Sequence, residues 1–153
     1  MVMLAVVVLF TSASSNNEKS GIVGTAAADF TIGNGDGVVS LSNYRGKYVL
    51  LTLWSSTDVT SRLDNIRHDR NATASATLVQ MSVNFDRSQA LFNELVAADS
   101  LDSSAQYYCE YKDRALFNEK WGASRQYNSY LISPSGTVVA VNPTDQEITR
   151  LVK

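Results

Sequence analysis

Hydrophobic and polar positions divide the chain into a leading apolar run, several short extended segments and a set of amphipathic stretches. Met1 to Phe10 is wholly apolar, and the small residues Thr11-Ser12-Ala13-Ser14-Ser15 and the polar stretch Asn16 to Ser20 follow it. Ten residues are too few to span a bilayer, which takes about 20. The run has the form of an export-signal h-region leading into a small-residue cleavage region, though no Lys or Arg precedes it. An apolar N-terminal strand is the alternative. A lipid-anchored signal would need a cysteine where Ala13 stands. Residues 1–20 are therefore read as export signal and tether and residues 21–153 as one domain, destined for the periplasm or cell envelope. The mature chain is expected to begin between Gly21 and Ala28.

Within that domain, Ala28 to Ile32 alternates apolar and polar, Asn34-Gly35-Asp36-Gly37 supplies turn residues, and Val38 to Leu41 resumes the extended pattern. This predicts a β-hairpin. Tyr48 to Trp54 is a nearly continuous run of strand formers, as in a central strand covered on both faces. Ser55 to Asp58 offers helix N-caps, and Val59 to Arg70 is predicted as a helix with Val59, Leu63 and Ile66 inward. Its polar face would carry Arg62, Arg67, His68 and Arg70. A strand over Thr77–Phe85, a cap at Asp86 and a helix over Ser88–Ala98 come next, with Leu91, Phe92, Leu95 and Val96 on one side. Gln106 to Tyr111 reads as a short extended piece, Asp113 to Trp121 as a helix closed by Gly122. Tyr127–Ile132 and Thr137–Val141 form a second hairpin around Ser133-Pro134-Ser135-Gly136. A last helix starts at Thr144-Asp145 with Ile148, Leu151 and Val152 on one face. The order implies a mixed sheet between helix layers.

Composition removes several functions. The 153 residues carry 13 basic and 15 acidic side chains for a net charge of -2, with no Lys/Arg run, so nothing marks a nucleic-acid surface. The single cysteine, Cys109, excludes an internal disulfide, a Cys-cluster zinc site and a two-thiol redox cycle within the chain. No metal site, cofactor-binding fingerprint or phosphate loop is present in the sequence. The one histidine, His68, would have to serve any Ser-His-Asp set, but its place in Arg67-His68-Asp69-Arg70 suggests solvated charge. Asn71-Ala72-Thr73 has the form of a glycosylation sequon, which matters only in a eukaryotic secretory pathway.

From Ala28 to Lys153 the ordered motifs resemble the exported thioredoxin-like family, the redoxin branch of bacterial thiol–disulfide oxidoreductases and alkyl-hydroperoxide-reductase-like proteins. They are Asp29-Phe30-Thr31, Gly35-Asp36-Gly37, Ser40-Leu41-Ser42, Tyr44-Arg45-Gly46-Lys47, Leu53-Trp54-Ser55-Ser56, Trp121-Gly122 and Tyr130 to Gly136. The resemblance implies an α/β thioredoxin-like fold, a mixed central sheet flanked by helices, with an N-terminal β-hairpin extension. In the family a Cys-x-x-Cys opens the helix after the tryptophan strand, where helix N–H groups stabilise a thiolate. Here Asp58 stands at the first cysteine position and Ser61 at the second. The family's cis-proline aligns with Tyr127 or Gln126, and no proline lies between Gly122 and Ile132.

What the resemblance implies is therefore a degenerate member that binds or scaffolds without dithiol chemistry, with no cofactor. Its contact face would comprise Trp54, Thr57, Asp58, Ser61 and Tyr127, and its partner would be a protein or peptide of the cell envelope. Asp58 is a helix N-cap or, in the sharper reading, a general base or ligand-contacting carboxylate. Tyr127 either fills the former groove or lines a new pocket. The alternative function is thiol–disulfide or peroxide chemistry by Cys109 with a partner's thiol. Against it, Cys109 reads as a buried small hydrophobe, and the peroxidase Pro-x-x-x-Thr-x-x-Cys surroundings are missing.

Overall fold

A computed structural model describes residues 21–35 and 37–153, so the reading of residues 1–20 as a signal and tether lies outside the described residues. The alternating segment folds as the expected hairpin, β1 (Thr31–Asn34) antiparallel to β2 (Gly37–Ser40). The remaining strands form one five-stranded sheet: β3 (Tyr48–Trp54), β4 (Leu78–Asn84), β5 (Gln106–Tyr108), β6 (Ser129–Ile132) and β7 (Val138–Val141), in the spatial order β5-β4-β3-β6-β7. β3, β4 and β5 run parallel, whereas β6 and β7 are antiparallel additions, so the sheet is mixed. The extended piece is shorter than its sequence suggests: only Gln106–Tyr108 pairs, and Tyr111–Asp113 is a single 3-10 turn.

Among the described residues four α-helices flank the sheet: α1 (Val59–Thr73), α2 (Gln89–Ala98), α3 (Arg114–Trp121) and α4 (Asp145–Leu151). Strand alternation sorts the core into two faces. Val49, Leu51, Leu53, Met81 and Val83 pack with Phe117 and Trp121 of α3 and with Phe30 and Ile32 from the hairpin region. On the other face Leu50, Leu78 and Leu131 meet Ile148 of α4, while Trp54 meets Phe92 and Val96 of α2. Each large apolar side chain buried this fully contributes about 1.5–3 kcal/mol. α3 ends where expected, at Gly122, whose φ of 66° is a left-handed C-cap. Gly136, at φ 86°, lies against the Arg45 guanidinium, and a Cβ there would overlap it.

Three expectations need correcting. The inward face of α1 is polar: Ser61, Asn65, His68 and Asp69 are buried, Ile66 is half-buried, and Val59 and Leu63 are 69% and 60% exposed. The cause is the sheet beneath. Thr52, Gln80, Ser82 and Gln106 all point to the α1 side and are buried, so an apolar helix face would have left their donors and acceptors unpaired. Instead Asn65 Nδ2 donates to Gln106 Oε1 at 3.0 Å, Gln80 Nε2 donates to Asn65 Oδ1 at 3.1 Å and to Ser82 Oγ at 2.7 Å. Secondly, Asp86 does not cap α2; Ser88 does, accepting from Leu91 N at 3.2 Å. That places Leu91 at the helix start, 40% exposed, with Phe92 and Val96 inward. Thirdly, His68 is fully buried rather than solvated.

Candidate functional site beside the parallel strand ends

The register of β3 and β4 pairs Trp54 with Asn84, so the turn Ser55-Ser56-Thr57 and the turn Phe85-Asp86-Arg87 leave the sheet side by side. Phe85 N donates to Trp54 O at 2.9 Å and fixes that start. Asp86 then binds the neighbouring turn. Its Oδ1 accepts from Ser55 Oγ at 2.6 Å, Ser56 N at 2.9 Å and Ser56 Oγ at 3.0 Å, and its Oδ2 accepts from Asn84 Nδ2 at 2.9 Å. Burial pushes this carboxyl up, but the donors from Ser55, Asn84 and Ser56 together outweigh it and hold Asp86 below the ordinary carboxylate value.

α1 begins immediately after the turn. Asp58 is its N-cap, with Oδ1 accepting from Ser61 N at 2.8 Å. Ser61 Oγ returns a bond to Asp58 O at 3.0 Å and accepts from Ser55 N at 3.2 Å. Asp58 and Ser61 thus supply a cap and a buried hydroxyl that stitch the turn to the helix. Asp58→Ala removes one capping bond and is expected to lower stability by about 1 kcal/mol, read from the urea midpoint at constant m-value. An unchanged midpoint would show that the cap is not made in solution.

Of the expected contact face, Thr57 is exposed and Asp58 and Tyr127 are half-buried. Trp54 and Ser61 lie beneath it, at 0% and 3% exposure, and are not contact residues. Tyr127 stacks one ring face on Phe85, with centroids 5.4 Å apart and planes at 29°, and also lines an open cavity of about 540 Å3. Burial raises the Tyr127 phenol, so it stays protonated and able to donate. The wall also includes Asp86, which the sequence offers only as a helix cap, and Arg114. Arg114 Nη2 donates to Asp86 O at 2.6 Å, while its buried Nε has no partner. The available signal for Asp86 was its place at the end of an apolar-polar alternating strand, where a capping role is equally plausible from sequence.

Cys109 is elsewhere. It follows β5, fully buried, with its N donating to Asn84 O at 2.9 Å and its side chain packed in the core beside α3. Burial outweighs the attraction of Arg114 and pushes the thiol up to about 12. His68 lies on the third turn of α1 with Nδ1 2.8 Å from Thr52 Oγ1 and a buried Nε2 that has no partner. No serine or carboxylate hydrogen-bonds it among the described residues, so a Ser-His-Asp set is not assembled there. Among the described residues no group of three or more His, Cys, Asp or Glu is placed to hold a metal ion. Nor is any helix there long and apolar enough to cross a membrane.

The arrangement of a mixed sheet with flanking helices recurs in solved structures. A thioredoxin domain of a thiol-disulfide oxidoreductase from Bacteroides vulgatus superposes with a TM-score of 0.75, covering 88% of this chain and 100% of that one at 20% identity. The fold is thioredoxin-like. A thiol:disulfide interchange protein from Bacteroides sp. matches this thioredoxin-like domain with a TM-score of 0.73 over 84% of this chain and 86% of that chain, again at 20% identity. A thioredoxin-like protein from Parabacteroides distasonis is 24% identical, with a TM-score of 0.64 over 69% of this chain and 79% of its own. At these identities the likeness is one of fold. No protein-family model and no curated protein matches the chain.

Proposed function

We propose that this thioredoxin-like domain is a binding or scaffold module of the cell envelope that does not carry out dithiol exchange. The observation that carries this reading is the chemistry of the turn before α1. Asp58 and Ser61, which the sequence resemblance sets at the places of the two sulfurs, bind the helix start and the turn through Asp58 Oδ1 and Ser61 Oγ. Asp86 fixes the same turn from the side. A turn so tied presents a fixed surface, with Thr57 and Tyr127 on it and a cavity between them and α2. The apolar run of residues 1–10 supports export. The partner on this reading is a protein or peptide of that compartment.

The second reading, redox chemistry by Cys109 with a partner's thiol, requires a thiolate that can be reached. The burial of Cys109 and its raised pKa favour the first reading. A reductant-coupled assay for disulfide and hydroperoxide turnover, run on the domain and on Cys109→Ser, is expected to give background rates for both. Turnover that disappears with the cysteine would replace binding by single-cysteine catalysis. In the same preparation iodoacetamide at pH 7.5 should leave native Cys109 unmodified over hours and label it readily in urea. Rapid native labelling would show an accessible, ionised thiol.

A further inference from the structure

The cavity beside the Ser55–Thr57 turn holds two guanidinium groups that no acid pairs among the described residues. Arg87 is exposed at the cavity wall and takes part in none of the ion pairs of the described chain. Arg114 is half-buried, bound only through Nη2 to the backbone oxygen of Asp86, with Nε buried and unpartnered. The carboxylate on the same wall, Asp86, is already committed through four hydrogen bonds to Ser55, Ser56 and Asn84. Asp58 turns Oδ1 to its own helix. The wall thus carries two guanidinium groups and one carboxylate, Asp86, a net positive charge in a chain with more acidic than basic residues. Arg114 is partly removed from water, which is unfavourable for a guanidinium without a counter-ion, and an anion bound there and reached by the exposed Arg87 relieves that cost.

The rest of the wall sets the hydroxyl residues Ser55, Ser56, Thr57 and Ser88 beside an apolar side made by Phe85, Leu91 and the Tyr127 ring. Tyr127 stacks on Phe85, and Leu91 is 40% exposed beside them. The volume, about 540 Å3, lies in the range of sites for small organic groups, roughly 300–1,000 Å3. Phosphate or sulfate would use the arginines and leave the aromatic side unfilled. A planar carboxylate attached to an apolar body uses both, since guanidinium donates two parallel N–H bonds to it. We propose that this cavity binds the free carboxyl terminus of a peptide with an apolar last side chain. The carboxylate pairs with Arg87 and Arg114, and the side chain lies against Tyr127 and Leu91. This rests on the reading of the face as a binding surface and names what it binds.

The test is an amide-resonance titration of the full chain with three probes: N-acetyl-Gly-Ala-Phe with a free carboxylate, the same peptide amidated, and phenylpropionate. The free acid is expected to move the Ser56, Thr57 and Arg87 amides and to bind at least about tenfold more tightly than the amide. Arg87→Gln and Arg114→Gln should each weaken the free acid by about tenfold and leave the amide unchanged. Arg87 is exposed, so its variant is expected to fold even if Arg114→Gln does not. Equal binding of acid and amide, both lost in Tyr127→Ala, would overturn the carboxylate while sparing the binding surface. Phenylpropionate binding as tightly as the peptide would overturn the peptide as its source. No shift at these amides with any probe would overturn the proposal altogether.

Discussion

Asp86→Ala is expected to destabilise the domain by about 2–5 kcal/mol, because it leaves more than one buried donor unsatisfied at about 1–3 kcal/mol each. The reason is the set of donors left behind. Ser55 Oγ, Ser56 N and Asn84 Nδ2 all point at this carboxylate, and Ser55 and Asn84 are buried too deeply for water to replace it. The loss should also be local: the Ser56 amide, held in a charge-assisted bond, is expected to lose its hydrogen-exchange protection before the β3 amides do. Asp86→Asn keeps one acceptor but sets an N–H against Asn84 Nδ2, and its cost should be smaller, about 1–2 kcal/mol. Because the native carboxyl is held below its ordinary value, its contribution is complete above that value and is lost as pH falls through the native pKa. Urea denaturation of the three proteins decides it. An alanine variant within 1 kcal/mol of the parent, a margin of about fivefold in the folding constant, would mean that the turn is not held by Asp86 in solution.

Much of the architecture was legible because the strands announce themselves. Tyr48–Trp54 reads as a covered strand since its apolar run is longer than any half-exposed strand would need, and it is the middle of the sheet. The capping residues Asp58 and Thr144, the C-cap Gly122 and the turn at Pro134–Gly136 each encode their role locally, through side-chain reach or allowed φ. What failed was the rotation of α1. Val59, Leu63 and Ile66 recur at helical spacing, but so do Ser61, Asn65, His68 and Asp69, and the helix alone does not say which stripe is inside. The answer was in β4, where Gln80, Ser82 and Asn84 alternate with Met81 and Val83. A sheet face built of amides and hydroxyls selects a polar helix face, because each buried polar atom needs a partner.

The site was harder for the same reason at longer range. Asp86 meets Ser55 across 31 positions of sequence, and Arg114 reaches Asp86 across 28. Neither pairing leaves a periodic trace, and Asp86 followed by Arg87-Ser88 fits a helix cap as well as a network centre. Trp54 and Ser61 were placed on the contact face because the motif loop carries them, yet one belongs to a strand and the other to the inward side of α1. The motif identifies the loop, and packing decides which of its side chains reach solvent.

The polar seat of α1 sets the second large effect, a fall in stability between pH 6.5 and pH 4. His68 is wholly buried, and that burial, reinforced by Arg67 and opposed by Asp64 and Asp145, lowers its pKa from 6.5 to about 4. Its native state is therefore the neutral imidazole bonded to Thr52 Oγ1. Above pH 6.5 neither the folded nor the unfolded ring holds the extra proton, and stability is at its full value. As pH falls from 6.5 towards 4, the unfolded chain takes a proton that the folded one refuses, so stability drops by about 3 kcal/mol in all. Below pH 4 the folded ring protonates as well and the slope from this residue ends. His68 is the chain's only histidine, so no other side chain has an ordinary pKa near 6.5. His68→Gln keeps a hydrogen-bonding group beside Thr52 but cannot titrate. Denaturation curves at half-unit intervals should therefore slope between pH 6.5 and about pH 5 for the parent and run flat there for the variant, even if the variant starts about 1–2 kcal/mol lower. Below about pH 5 the carboxylates held low, Asp86 among them, add a slope common to both. A parent curve that is level across this window would place His68 in solvent. Equal slopes in the two proteins would move the titration to another group and leave α1 seated on the sheet by its amides alone.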